Sequence, residues 1–268
     1  MKRQRTLATW ITTGLLLAVT LYFLLPLLWT LRTALLPEGR AYALPPEWGP
    51  WTLENFAAML TGPFGRAFKN SLVVAGATVL VGLPLAAMLG YAMARYRVGG
   101  APLRFSVLAT QMLPPIVLAL PLFALFRAAR LTNTYPGLVL AYLAFALPLM
   151  SWLLMGFFQG LPRDLEEAAL VDGASFPQRF LHVTLPLLRP VIGVVLILQT
   201  IAELRTYDLV YVLTRGGPGA ATDLLAYFIY RKAFLGLDLG GASALAYLLL
   251  LLTLALVVFY YRRVFAEI

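Results

Sequence analysis

The sequence predicts an all-α integral membrane protein that crosses the bilayer six times. Of its 268 residues, 61% are hydrophobic and only 12% are charged, and the mean hydropathy is +0.82. A soluble fold built from these residues would lack the polar side chains to cover its surface. Apolar runs near the ~20 residues that a helix needs to cross the hydrocarbon core recur along the whole length, which a single signal peptide cannot account for. Basic residues gather at the ends of those runs, as expected of a multi-pass chain.

The runs cover residues 8–30, 68–94, 104–125, 137–158, 187–213 and 242–261. With the N-terminus inside, the cytoplasmic connections hold Lys2, Arg3 and Arg5, then Arg95, Arg97 and Arg104, then Arg163, Arg179 and Arg189, and last Arg262 and Arg263. The outer stretches carry Arg32, Arg40, Arg66, Lys69, Arg127, Arg130, Arg215, Arg231 and Lys232 over longer loops, so the inside bias is one of density. Both termini are therefore expected on the cytoplasmic side, with residues 1–268 forming a single transmembrane domain.

The net charge of +9 would suit nucleic acid only if a basic face or stripe were presented on a folded domain. No such cluster occurs, and anchoring to the anionic lipid bilayer accounts for the charge. No nucleic-acid partner is expected. With no Cys and a single His, His182, disulfides, thiol catalysis and a clustered metal site are excluded as well.

Residues 31–66 differ from the rest. In "LPPEWGPWTLENFAAML" the prolines favour extended backbone, after which Leu53, Phe56, Ala57 and Leu60 recur at helical spacing. That pattern predicts an outer amphipathic helix in the membrane interface, with Trp48 and Trp51 in the interfacial belt. It would serve as an anchor or as a docking surface for an external partner. In the third run, Pro114, Pro115 and Pro121 imply a kinked helix.

Between the fourth and fifth runs, residues 160–186 form a cytoplasmic loop containing "EEAALVDGASFPQRFLHVTLP". Leu161 and Pro162 end the preceding helix, and "RDLEEAALVDG" reads as a short helix. Asp164 is its expected N-cap, Glu166 and Glu167 occupy the acidic first turn, and Gly173 stops it. Pro177 opens a second short helix with Phe176, Phe180 and Val183 on one face, and Pro186 begins the return to the membrane. The fifth run carries Gln199, Glu203, Arg205, Tyr207 and Asp208, polar groups that are costly in a membrane unless they are paired or face a wet cavity. Gln199, Glu203 and Tyr207 lie four apart on one face and suit an acceptor-and-aromatic surface for a solute, while Arg205 and Asp208 are spaced to form an ion pair. A solute path and a purely structural pairing both remain open. The loop "TRGGPGAATD" that follows has residues suited to a tight exposed turn or to a plain connector.

Glu167-Ala168-Ala169, three residues, Gly173, nine residues and Val183-Thr184-Leu185-Pro186 resembles the EAA signature of the transmembrane subunits of bacterial ATP-binding-cassette (ABC) importers, with Val183 in place of the usual Ile. The likeness extends through "NSLVVAGATVLVGLPLAAMLGYAMARYR", "TQMLPPIVLALPLFALF" and "LTNTYPGLVLAYLAFALPLMSWLLMGFFQGLPRDLEEAALVDGAS", which are similar to the carbohydrate-uptake, maltose-type permeases, and runs from about residue 55 onward. The central region is MalG-like, whereas "LRTYDLVYVLTRGGPGAATDLLAYFIYRKAF" has MalF-like features.

The resemblance implies the type I permease fold of six helices with a cytoplasmic coupling helix, in a bacterial inner membrane. It implies a heterodimer with a second permease subunit, two ABC ATPase subunits and an extracytoplasmic sugar-binding protein, with carbohydrate as the substrate. ATP and Mg would be bound by the partner ATPase, and no cofactor by this chain. Glu166, Glu167, Ala168, Ala169, Asp172, Gly173, Leu185 and Pro186 would meet the ATPase; Gln199, Glu203, Tyr207 and Asp208 are the substrate-path candidates. The chain lacks G-x-x-x-x-G-K-[ST], so it is expected to be a transport subunit and not an enzyme. An ion-coupled secondary transporter of a small polar solute is the alternative, although no internal repeat supports it. An intramembrane enzyme would need paired catalytic groups, and only the residues between Glu203 and Asp208 offer any.

Overall fold

The computed structural model describes residues 2–265, with side chains described from residue 9 onward except at Thr61 and Phe265. The side chains of Lys2, Arg3 and Arg5 lie outside that set. Among the described residues the regular structure is helical throughout: α1 (Lys2–Ala34), α2 (Glu54–Thr61), α3 (Phe64–Arg95), α4 (Gly100–Met112), α5 (Pro115–Ala128), α6 (Tyr135–Gly160), α7 (Asp164–Val171), α8 (Phe176–Arg179), α9 (Leu185–Leu187), α10 (Arg189–Arg205), α11 (Asp208–Leu213), α12 (Leu225–Tyr230) and α13 (Leu239–Phe265).

Among the described residues four helices, α1, α3, α6 and α13, are long and apolar enough to cross a membrane unbroken. Two further bent pairs bring the number to as many as six. The third expected span is α4 and α5, which meet at 100°. The bend falls at Leu113 and Pro114, where Pro114 and Pro115 supply no amide hydrogens and push the residue before them out of helical geometry. The kink expected at these prolines is thus a full break, whereas Pro121 lies within α5.

The fifth span departs from its expected course at both ends. The helical segment Phe176–Leu187 turns 70° into α10 at Leu188, and α10 ends at Arg205, so that the expected continuous helix over 187–213 is interrupted at Thr206 and Tyr207 before α11.

The chain divides into two compact units, Met1–Pro63 with Ile229–Leu248, and Phe64–Phe228 with Leu249–Ile268. In the first unit, α1 exposes its large apolar side chains along most of its length, as a helix apolar on all sides does when lipid or another chain covers it. Arg32 near its end is buried, its guanidinium 4.6 Å from the Trp29 ring and 5.7 Å from that of Trp48. Its Nε donates to the Glu47 carbonyl at 2.8 Å. The expected helix in the 31–66 segment forms as α2, but it begins at Glu54, with Leu53 as the preceding cap residue. Its inward side is Met59 and Asn55, the latter donating to the carbonyls of Ala34 and Leu36 at 2.9 and 2.7 Å. Leu53, Ala57 and Leu60 stay exposed, as do Trp48 and Trp51.

The second unit is built on α3 against α6. Gly82, Ala86, Gly90 and Ala94 recur every four residues and form one seam of α3. A Cβ at Gly90 would lie 3.0 Å from the backbone N of Met155 and O of Ser151 on α6. Such small-residue seams let membrane helices approach backbone to backbone. Met93, Met150, Leu154, Phe158, Val107, Leu188 and Val195 complete this core.

Candidate functional site

The short acidic segment forms as two helices, and its sequence dictates both ends of the first. Asp164, Glu166 and Glu167 occupy the first turn of α7, where the peptide dipoles favour negative charge. Asp164 is the first helical residue rather than the expected cap; Arg163 takes the N-cap position without a side-chain cap bond. The helix closes in a Schellman motif: the Ala174 N–H donates to the Ala169 carbonyl at 2.9 Å and the Gly173 N–H to that of Leu170 at 3.0 Å. Gly173 sits at φ +83°, a left-handed conformation that residues with a Cβ resist. Ser175 and Gln178 form a capping box at the start of α8, with Pro177 in its first turn.

Glu166 fastens this segment to the core. Its Oε1 accepts from Arg95 Nη2 at 3.1 Å, Arg95 Nε at 3.3 Å and Thr184 Oγ1 at 3.2 Å, and its Oε2 accepts from the Tyr91 hydroxyl at 3.0 Å. Arg95 Nη2 also donates to the Leu161 carbonyl at 3.2 Å. The Arg95 and Glu166 side chains are only 7% and 14% exposed, and the remaining hydrogen bonds supply what a sheltered ion pair needs to offset its desolvation. The Tyr91 ring stands edge-on to Phe158, Phe176 and Phe180, with centroids 5.2, 5.8 and 5.5 Å away. The end of α3, α7 and the turn after α8 are thereby joined at one carboxylate. Sequence pattern singles out none of Tyr91, Arg95 and Thr184 as a partner of Glu166: Arg95 stands there as one basic residue among many and Thr184 only as a member of the signature.

The opposite face of α7 is free of such ties. Glu167, Ala168, Asp172 and Gly173 are exposed, as are the apolar Leu170 and Val171, the latter by 87%. Ala169 and Leu185 are half-buried, and Pro186 is exposed. Of the eight residues expected to meet an ATPase, Glu166 therefore turns inward. The acid, alanine and turn glycine around it form a small protruding surface that another protein could grip.

The polar group on α10 is split by the break at Thr206. Gln199 and Glu203 are buried and joined by a 2.6 Å hydrogen bond from Nε2 to Oε1. Tyr207 lies beyond the helix end and is exposed, and Asp208 accepts from the Leu209 N–H at 3.0 Å at the start of α11. Gln199, Glu203 and Tyr207 are consequently not one continuous helix face. Arg205 and Asp208 fall on either side of the break, and no ion pair joins them among the described residues. The break is stabilised from α6, where Tyr142 donates to the Thr206 carbonyl at 3.2 Å. One turn along α11, Tyr211 is also exposed; its spacing of four from Tyr207 was the signal that would have found it. Among the described residues no group of three or more His, Cys, Asp or Glu side chains could hold a metal ion.

Comparison with known proteins identifies the segment that carries all of these groups. Residues 82–267 match the family described as binding-protein-dependent transport system inner membrane component. The chain belongs to this family. Within it, the chain is 36% identical over 186 residues to the diacetylchitobiose uptake system permease protein NgcG of Streptomyces coelicolor, covering 67% of this chain and 61% of that one. It is 47% identical over 115 residues to the trehalose/maltose transport system permease protein MalF of Thermococcus litoralis, covering 43% of this chain and 39% of that one. The alignments thus span less than two thirds of these relatives. A chain from the crystal structure of a bacterial ABC transporter involved in import of the acidic polysaccharide alginate superposes with a TM-score of 0.73, 20% identity and coverage of 95% and 94%. The family member described here shares that fold. The all-helical, multi-pass architecture expected from the sequence agrees with it, and both Tyr91–Arg95–Glu166 and the polar residues of α10 lie inside the family segment.

Proposed function

We propose that this chain is a membrane-spanning subunit of an ATP-driven carbohydrate importer of the bacterial inner membrane, with both termini in the cytoplasm. The observation that carries the proposal is α7: held from within by Glu166, it presents Glu167, Ala168, Leu170 and Val171 outward. A helix fixed at its inner face and open at its outer one can pass a push from a docked ATPase to α3 through the Glu166–Arg95 pair. The family match and the sugar-transport names of the relatives support this reading. A second permease subunit, two ABC ATPase subunits that bind ATP and Mg, and an extracytoplasmic sugar-binding protein complete the assembly. A solved alginate ABC transporter in complex with a periplasmic protein carrying an alginate pentasaccharide has the same fold, with a TM-score of 0.69.

In this reading ATP-driven closure of the ATPase favours the state of the permease open to the outside, and the binding energy difference between the two states drives the change. Tyr207 and Asp208 supply an aromatic face and an acceptor near a sugar path, with Tyr211 beside them, while Gln199 and Glu203 brace the wall behind it. The test is co-purification of wild type and Glu167→Arg with the proteins encoded nearby, followed by ATPase assay in liposomes with sugar-loaded binding protein. Wild type is expected to recruit an ATPase whose stimulation is lost in the variant. Solute movement by the chain without any ATPase would replace this function with ion-coupled secondary transport.

A further inference from the structure

Beside the Glu166 anchor lies a groove of about 590 Å³ whose wall holds four arginines, Arg95, Arg97, Arg104 and Arg163. Among the described residues, Arg95 alone of the four meets a carboxylate: it pairs with Glu166. Arg97 and Arg163 are exposed, and no ion pair involves either of them, or Arg104, among the described residues. Arg104 spends Nη2 on the Met93 carbonyl at 2.8 Å, while its Nε is buried without a hydrogen-bond partner. The first residues of α4, Gly100 and Ala101, also line the groove, and no acidic residue stands in the first turn of that helix. Three guanidinium groups without an ion-pair partner therefore converge on one space, an arrangement that suits an oxyanion.

A second feature says which oxyanion. Ala101, Phe105, Leu108 and Met112 follow at steps of four, three and four and make one stripe along α4 that starts in the groove. Phe105 is 69% exposed, Leu108 38% and Met112 80%. A free phosphate would gain nothing from that stripe. A molecule with an anionic head and a hydrocarbon tail gains on both parts, since apolar contact and electrostatic attraction add.

We infer that this groove binds an anionic phospholipid, with the headgroup phosphate held by Arg97, Arg104 and Arg163 at the start of α4 and an acyl chain lying along Phe105, Leu108 and Met112. The site borders Arg95, so its occupant would stand next to the pair that fixes α7. The inference requires the membrane location of the chain but not the proposed transport.

The full-length protein, purified with whatever chains accompany it, is placed in nanodiscs of phosphatidylcholine containing a minor fraction of phosphatidylglycerol, and the lipid retained after extraction is counted by native mass spectrometry. Wild type should retain phosphatidylglycerol in preference to phosphatidylcholine, and Arg97→Gln/Arg163→Gln should lose that preference on the order of tenfold, from two basic contacts. A charge-preserving Arg97→Lys/Arg163→Lys protein should keep most of it, which separates lost binding from lost folding. Photoreactive phosphatidylglycerol on the wild type should label Phe105 or its neighbours on α4. Equal retention of the two lipids by wild type, labelling confined to other helices, or crosslinking of the stripe to a partner protein in place of lipid would overturn the inference. So would displacement of the bound lipid by millimolar inorganic phosphate, which would mark the arginines as a site for a free anion.

Discussion

Replacing Glu166 by Ala strands the Arg95 guanidinium, 7% exposed, and deprives Tyr91 and Thr184 of their shared acceptor. Breaking a sheltered pair from one side costs about 3 kcal/mol, so Glu166→Ala should show a clearly lower unfolding temperature in detergent, with Glu166→Gln, which retains an acceptor, in between. Glu167→Arg, on the exposed side, should stay within about 0.5 kcal/mol of wild type. Equal losses at both positions would contradict the division between anchor and docking face. The sequence placed both acids in one turn but not their directions. Neighbours on a helix point about 100° apart, and the partner that selects Glu166 lies 71 residues away at Arg95. Asp238 offers a pH-dependent case. Burial pushes its carboxyl up, but the hydrogen bonds from Lys232 at 2.7 Å and from the Gly241 N–H, with the Lys232 charge, outweigh this and leave it below its ordinary value of 3.8. The unfolded chain therefore binds more protons between the two values, so the contribution is complete above the ordinary range and fades as pH falls through the folded value. Asp238→Asn keeps a cap for α13 without the charge. Its thermal deficit should be visible at pH 7 and shrink toward pH 3, and a constant deficit would argue against the charge.

For the helices, the test of packing is the α3–α6 seam. Gly90→Ala sets a Cβ 3.0 Å from two backbone atoms of α6, neither of which can rotate away. It should cost about 1 to 3 kcal/mol by overpacking, and Gly90→Leu should abolish stable expression. Gly156, on α6 with nothing within 4 Å of its added Cβ, is the control; Gly156→Ala should be neutral or slightly stabilising because it removes the helical penalty of glycine. Thermal denaturation of the two alanine variants, with the expression level of Gly90→Leu, would decide whether the seam holds the unit together. The helices themselves were legible because length and apolarity set a span directly. So was a bend at Pro114, expected as a kink and found as a full break, since proline announces itself locally. The break at Thr206 was not, for no Gly or Pro marks it. The bond that satisfies its freed carbonyl comes from Tyr142 on another helix, and a tertiary contact of that kind leaves no periodic trace.

On the scale of the whole family segment and the residues just before it, α3 is a rod with a polar anchor at each end. Asn70 and Arg95 are 25 residues apart, ~38 Å along a helix. At the far end Arg95 holds α7; at the near end Asn70 Nδ2 donates to the carbonyls of Ala220 and Asp223 at 3.3 and 3.0 Å, and its Oδ1 accepts from the Tyr135 hydroxyl at 2.6 Å. Ser71 Oγ accepts from the Leu225 N–H at 2.8 Å and Arg66 donates to the Gly219 carbonyl at 3.1 Å. The glycine-rich loop, which composition marked as a turn or connector, is thus tied to the start of α3 from about 150 residues away. Asn70→Ala removes three of these bonds from a buried site, a loss of about 2 kcal/mol. That loss falls on the loop, where Asn70 holds two of the carbonyls, and it should appear as local opening before global unfolding. Arg215 is exposed within the loop, so trypsin reports the opening directly. Cleavage after Arg215 should accelerate severalfold in Asn70→Ala while the unfolding of the α3–α6 core shifts little. Unchanged cleavage would mean that the loop keeps its form without α3, and a rod that does not grip the loop could not relay events there to α7.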